Sequence, residues 1–253
     1  MLTRTIIKHP IGIISQPSIA DNESLSATIA KIIEKHNVLK HPFFQLWNCG
    51  AVSNDTLRVF VSQFYHLIKH FPRMLSAIHS NTSELLTRKV ILKTLNREDG
   101  AKEHSAELWV RYAESLGISR MELENAHTLP KTRHLLDTMN NFCRNHSSLE
   151  GLASLYAYEV QLPPLFKMKM DGLLKYYPLT EKRNTKFFHV RQERDTVHSL
   201  LEREIIDKSV TTENYTKVTF AMESTAYAFW KFLDGIMEVY GKSIKQHTFV
   251  RLG

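Results

Sequence analysis

The chain has 253 residues, a formal charge of +7 and only 9 glycines. No two glycines have the spacing of G-x-G-x-x-G, and Gly241-Lys242-Ser243 lacks the P-loop glycine, since Ile236 stands there, so dinucleotide fingerprints and Walker sites are excluded. Cys49 and Cys143 are too few for a disulfide scaffold or a four-thiolate metal site.

In chain order, residues 1–20 read as an irregular arm in which Lys8, Pro10 and Pro17 argue against a signal peptide. Ser24 or Asn22 caps a first helix carrying Leu25, Ile29, Ile32 and Ile33 at helical spacing. A short apolar turn follows at His41-Pro42-Phe43-Phe44. Asn54 or Asp55 opens a helix whose stripe, Leu57, Phe60, Val61, Phe64, Tyr65 and Ile68, reaches Phe71-Pro72. Another helix begins after Ser83. Gly100 breaks it, and helix resumes through His104, Leu108 and Trp109 to Gly117. Further helices are predicted near 130–143, 149–176 with a bend at Pro163-Pro164, 188–208, and 213–240. No segment alternates with period two for long. The chain reads as one all-α bundle domain over 21–241, with about seven or eight helices and a tail at 242–253. No stretch approaches the ~18 apolar residues of a membrane span. The positive charge is spread out except around Lys167, Lys169, Lys175, Lys182, Arg183 and Lys186. That cluster suits a solvated face near an acidic ligand better than nucleic acid, and the expected location is cytoplasmic.

Four groups stand out chemically. Asp195 and His198, three apart, share a helix face, as in the Glu-x-x-His pairs of carboxylate bundles, although such pairs are also common on solvated faces. Glu159 lies in the apolar run Leu155-Tyr156-Ala157-Tyr158-Glu159-Val160. Burial there demands a cation or hydrogen-bond donors, whether for function or as a structural ion pair. His104 is expected to face inward near Leu108 and Trp109, as a ligand or as a satisfied core residue. His66 and His70 could chelate zinc, but no third ligand follows. No nucleophile motif surrounds a serine or cysteine.

Six segments in order then carry a resemblance. They are His41-Pro-Phe-Phe-x-x-Trp47, Phe64-Tyr65 through Phe71-Pro72 to His79, Gly100-x-x-x-His104-x-x-Leu-Trp109, Leu155-Tyr156-x-Tyr158-Glu159-x-Gln161-x-Pro163, Phe187-Phe188…Asp195-x-x-His198, and Phe232-Leu233-Asp234. Over roughly 24–240 the chain resembles the family of the Chlamydia protein associating with death domains. That family lies in the haem-oxygenase-like superfamily beside pyrroloquinoline-quinone synthase and the thiaminase II group.

The resemblance implies a compact helical bundle around one cavity. In metal-using members two irons, or iron with manganese, activate O₂ on Glu-x₆-His, a lone Glu and His-x₃-Asp-x₂-His. Carried over, the ligands His104, Glu159, Asp195 and His198 are present, while Arg97 and Arg191 stand at the other two positions. A guanidinium cannot ligate a cation, so iron is expected as one ion, two, or none, with the arginines pairing to Glu159 and Asp195. Glu98, adjacent to Arg97, is an alternative ligand.

The family's site lysine falls on Lys169, and of its site tyrosines Tyr65 remains, while Phe44, Phe60 and Phe64 stand at others. Phe44 argues against a self-sacrificing para-aminobenzoate synthesis. Lys169 and Tyr65 are therefore the candidate catalytic residues. Arg97, Arg191 and Lys169 are the candidate binders of a small acidic molecule. The alternatives are a metal-free oxidase of the pyrroloquinoline-quinone synthase type, or an inactive relative that binds another protein. The resemblance alone implies a host death-domain partner, and a homodimer is also an expectation.

Overall fold

The computed structural model describes residues 24–100, 103–176 and 182–250, with side chains described except at 171–176, 182–184 and 240–250. The expected arm at 1–20 lies outside the described residues. Every regular element among those described is helical: α1 Leu25–Lys35, a 3₁₀ turn Val38–Lys40, α2 Pro42–Asn48, α3 Asn54–Asn81, α4 Leu85–Glu98, α5 Ser105–Ser115, α6 Arg120–Glu124, α7 Pro130–Asn145, α8 Ser148–Glu159, α9 Leu162–Tyr176, α10 Lys182–Ser209 and α11 Tyr215–Val250.

The helix starts follow local chemistry. Ser24, Ser53, Ser119 and Ser147 each accept a backbone N–H of the first turn, and Glu122 and Glu150 complete capping boxes. Pro42 and Pro130 sit at helix starts, where the missing N–H costs nothing.

The differences from the sequence expectation have physical reasons. Packing carries α3 straight through Pro72, whose neighbours Phe71, Met74 and Leu75 are buried. The expected 149–176 helix is split at Val160-Gln161 into α8 and α9. There the Gln161 side chain serves two backbones, accepting from Val38 N–H and donating to the Ala157 carbonyl. The one-turn helix α6 is too short for periodicity to reveal. Helix α11 continues through residues 242–250, where a tail was expected.

Helix α8 is the centre. Every residue from Glu150 to Glu159 is buried, as befits a helix apolar all round. It packs against α11, α7, α10 and α3. Gly151 permits the close approach to α7, because a Cβ there would lie 3.1 Å from the Cys143 Cα. Distant resemblance segments meet in the core. His41 Nε2 lies 3.1 Å from Asp234, and Trp109 Nε1 donates to the Val61 carbonyl at 2.9 Å. No described helix is long and apolar enough to cross a membrane.

Candidate functional site

Helices α4, α8 and α10 deliver six ionisable side chains to the interior: Glu98 from α4, Glu159 from α8, and Arg191, Asp195, His198 and Glu202 from α10. The α10 residues follow spacings of four, three and four, which keeps them on one face. All six are buried, and Glu202 is 0% exposed. Burying so many charges is tolerable only if each is paired or neutralised.

The cluster has two ends. At one, Arg191 donates through Nη1 to Glu98 at 2.6 Å and to Ser105 Oγ at 3.4 Å, and its Nε lies 3.1 Å from both Asp195 oxygens. The Phe71 ring caps the guanidinium at 5.7 Å. Burial opposes the Arg191 charge, but Asp195 and Glu98 outweigh it and hold its pKa above the ordinary value. Burial raises the Asp195 carboxyl, and Arg191 works against that rise.

At the other end, His198 Nδ1 lies 2.6 Å from Glu159 Oε2 and 3.8 Å from Glu202 Oε1. The three residues each offer one ligand atom within 4.8 Å of the others, enough to hold a metal ion. Both Glu202 oxygens and His198 Nε2 are buried without a hydrogen-bond partner. Burial first, and then the neighbouring Glu159, push the Glu202 carboxyl well above the usual carboxylate range.

The structure moves the expected ligand register by one residue on the α4–α5 side. Arg97 is half-buried and lines a surface cavity of about 370 Å³ with Val190, Glu193, Arg194 and Val197. Arg97 therefore does not pair with Glu159 or Asp195. His104 caps α5, its Nδ1 accepting the Glu107 N–H at 3.3 Å, and does not join the cluster. Glu98 and Ser105, also seven apart, face inward instead and both meet Arg191. Helix α4 ends at Glu98 and α5 starts at Ser105, so helical spacing cannot fix the register across Gly100. Of the named candidates, the structure brings together Glu98, Glu159, Arg191, Asp195 and His198.

Two other candidates lie elsewhere. Tyr65 is buried by α3, and its hydroxyl is shifted up by burial and by Glu124, while Arg120 and Glu107 also lie near; these are residues of α5 and α6, not of the cluster. Lys169 of α9 is 0% exposed, with Nζ 4.2 to 5.9 Å from the ring centres of Phe44, Trp47, Phe60, Phe64 and Phe166. It has no hydrogen-bond partner, and burial lowers its pKa far below the ordinary lysine value. Burial thus disfavours the charged amine, while the surrounding ring faces are the groups that would attract a cation there.

Glu202 escaped the sequence reading. Its signal was present, because it extends the stripe Arg191, Asp195, His198 by one further turn.

The cluster rejects metal at one end and fits it at the other. A fixed guanidinium fills the space among Glu98, Ser105 and Asp195, whereas Glu159, His198 and Glu202 form a donor set of imidazole and carboxylates with orphaned acceptor atoms. Cys49 is exposed and Cys143 buried, its thiol pushed up to about 12 by burial, so the latter is no thiolate ligand or nucleophile. His70 Nδ1 contacts the His66 carbonyl at 2.8 Å, a local contact within α3.

The bundle, built round one buried helix, has the haem-oxygenase-like fold. A solved domain from Shewanella denitrificans, described as having a heme oxygenase-like fold, aligns with a TM-score of 0.69 at 18% identity over 88% of this chain and 95% of that one. Residues 27–239 match the model of the TENA/THI-4/PQQC family, and the chain belongs to that family. A 4-aminobenzoate synthase of Nitrosomonas europaea is 36% identical over 84% of this chain and 90% of its own length. A pyrroloquinoline-quinone synthase of Rhizobium meliloti is 24% identical over 87% of each chain.

Proposed function

We propose that the protein is an O₂-dependent oxidoreductase of the general kind represented by the 4-aminobenzoate synthases, with a metal-binding core. The buried Glu159–His198–Glu202 group carries this reading. The similarity to a relative named 4-aminobenzoate synthase supports it. A redox-active ion on these three residues would supply one-electron chemistry toward O₂, with the organic substrate as the source of electrons. The proton that His198 Nδ1 shares with Glu159 would be displaced by the ion, which Glu159, His198 and Glu202 would hold, and the surrounding apolar helices would exclude water. Lys169 would supply a neutral amine, a free base or nucleophile, at the aromatic end of the core.

The acidic-substrate expectation is not part of this reading. Arg191 is fully engaged by internal carboxylates, burial disfavours a charge on Lys169, and Arg97 lies on the surface. Nor is the ring of residue 44 a substrate, since Phe44 has no hydroxyl and is packed as one wall of the Lys169 cage.

The test is O₂ consumption by iron-loaded protein with organic reductants, together with the intact mass of the chain. Consumption that falls at least tenfold in Glu159→Gln or His198→Ala, with no mass change at residue 44, supports the reading. Equal consumption in all three proteins overturns it. A second reading, a metal-free oxidase, is favoured by Arg191, which fills one end of the cluster with a fixed cation. It requires activity that survives complete chelation.

A further inference from the structure

The cluster sets four carboxylates, Glu98, Glu159, Asp195 and Glu202, against one fixed cation, Arg191. That cation is spent on Glu98 and Asp195. The Nδ1–H of His198 can serve Glu159 at 2.6 Å, and both Glu202 oxygens then lack a donor. A fully buried carboxyl group with both oxygens unpartnered is costly to a core in either protonation state. Its persistence here, beside an imidazole nitrogen whose ring also carries an unpartnered Nε2, marks a place for a missing positive group.

We infer that Glu159, His198 and Glu202 bind a single divalent first-row ion, with Glu202 as a ligand and Arg191 occupying the place a second ion would need. The inference rests on the metal-binding core of the proposed function and deepens it, by fixing the stoichiometry and naming the third ligand. Imidazole with two carboxylates suits manganese(II) or iron(II), whose preferences include oxygen donors, and it lacks the thiolate that would select softer ions. Arg191 cannot give way as a lysine could, because its guanidinium keeps its proton, and Glu98 of α4, Ser105 of α5 and Asp195 of its own helix fix its plane.

Manganese(II) is the probe. The full-length chain, stripped with chelator, is titrated with Mn(II) under argon. Bound metal is counted per chain, and the paramagnetic resonance spectrum separates an isolated ion from a coupled pair. One ion per chain with the spectrum of an isolated ion is expected. Glu202→Gln should weaken that binding at least tenfold, since loss of even an outer partner of a metal site costs about 10- to 100-fold. His104→Asn should bind Mn(II) as wild type does.

Zero ions, two ions or a coupled-pair spectrum in the wild type overturns the inference, and so does undiminished binding in a folded Glu202→Gln. Should that variant fail to fold, the wild-type count and spectrum still decide. The functional proposal fails separately: one bound ion without O₂ consumption leaves this site standing and sinks the oxidase. Chelator-resistant O₂ consumption without bound metal sinks this site and the metal-dependent reading together, and leaves the metal-free one.

Discussion

At the Arg191 end of the cluster each buried charge has an opposite partner inside the chain. At the Glu202 end the His198 imidazole meets Glu159, and among the described residues neither Glu202 oxygen has a hydrogen-bond partner. Both ends are equally dry, and both draw on α10, so neither burial nor helix propensity separates them. The difference lies in residue type: a long, permanently charged fork at 191 reaches two carboxylates in ion pairs, and a short imidazole at 198 reaches Glu159 and leaves both Glu202 oxygens without a partner. One buried cluster can thus be closed by a salt bridge at one end and carry unpartnered carboxyl oxygens at the other.

The largest break in this comparison is expected from Arg191→Met. It strands Glu98 and Asp195 without a cation, and breaking a buried pair from one side costs about 3–5 kcal/mol. Urea unfolding should show that loss, and a change under 1 kcal/mol, well short of that range, would mean that the carboxylates are neutralised otherwise.

Next is Lys169→Met, a gain on the order of 1–3 kcal/mol near neutral pH, because it removes a buried amine with no partner. The sign follows from linkage. Burial lowers the pKa of Lys169 in the fold, whereas in the unfolded chain it binds a proton at any pH below about 10.5. The unfolded state therefore holds the extra proton, and wild-type stability rises with pH between the lowered folded value and about 10.5. In Lys169→Met that rise should flatten, which unfolding at pH 7 and pH 9.5 will measure. A destabilised variant with an unchanged slope would contradict the lowered pKa.

His104→Ala should cost about 1 kcal/mol, the usual loss for an N-cap, and His104→Asn should recover it, since asparagine caps well. A stability loss that Asn does not recover would point away from capping. The smallest effect is expected from Arg97→Ala, within about 0.5 kcal/mol of wild type as for ordinary surface positions. If Arg97→Ala matched Arg191→Met in thermal and urea unfolding, the assignment of the two arginines would be reversed.

Much of the fold was legible because its signals are local or paired. Apolar stripes gave α1, α3 and α11, and segments such as His41-Pro42 and Phe232-Leu233-Asp234 meet in space at His41–Asp234. The core was legible where its residues share a helix, as Asp195 and His198 do on one face of α10, and where a carboxylate sits in an apolar run, as Glu159 does. Across Gly100 the periodicity is lost, and a histidine one residue from the inward position drew the reading to His104 when Ser105 faces the cluster. Glu202 was missed for a different reason. It is absent from the resembling family's ligand pattern, and only its continuation of the α10 stripe marks it.

The most direct measurement is a crystal structure of the protein soaked in Mn(II), with anomalous scattering recorded to locate the ion. The account predicts one anomalous peak per chain, bounded by Glu159, His198 and Glu202, with Arg191 still joined to Glu98 and Asp195. Two peaks, or a single peak between Glu98 and Asp195 with Arg191 turned away, would contradict it.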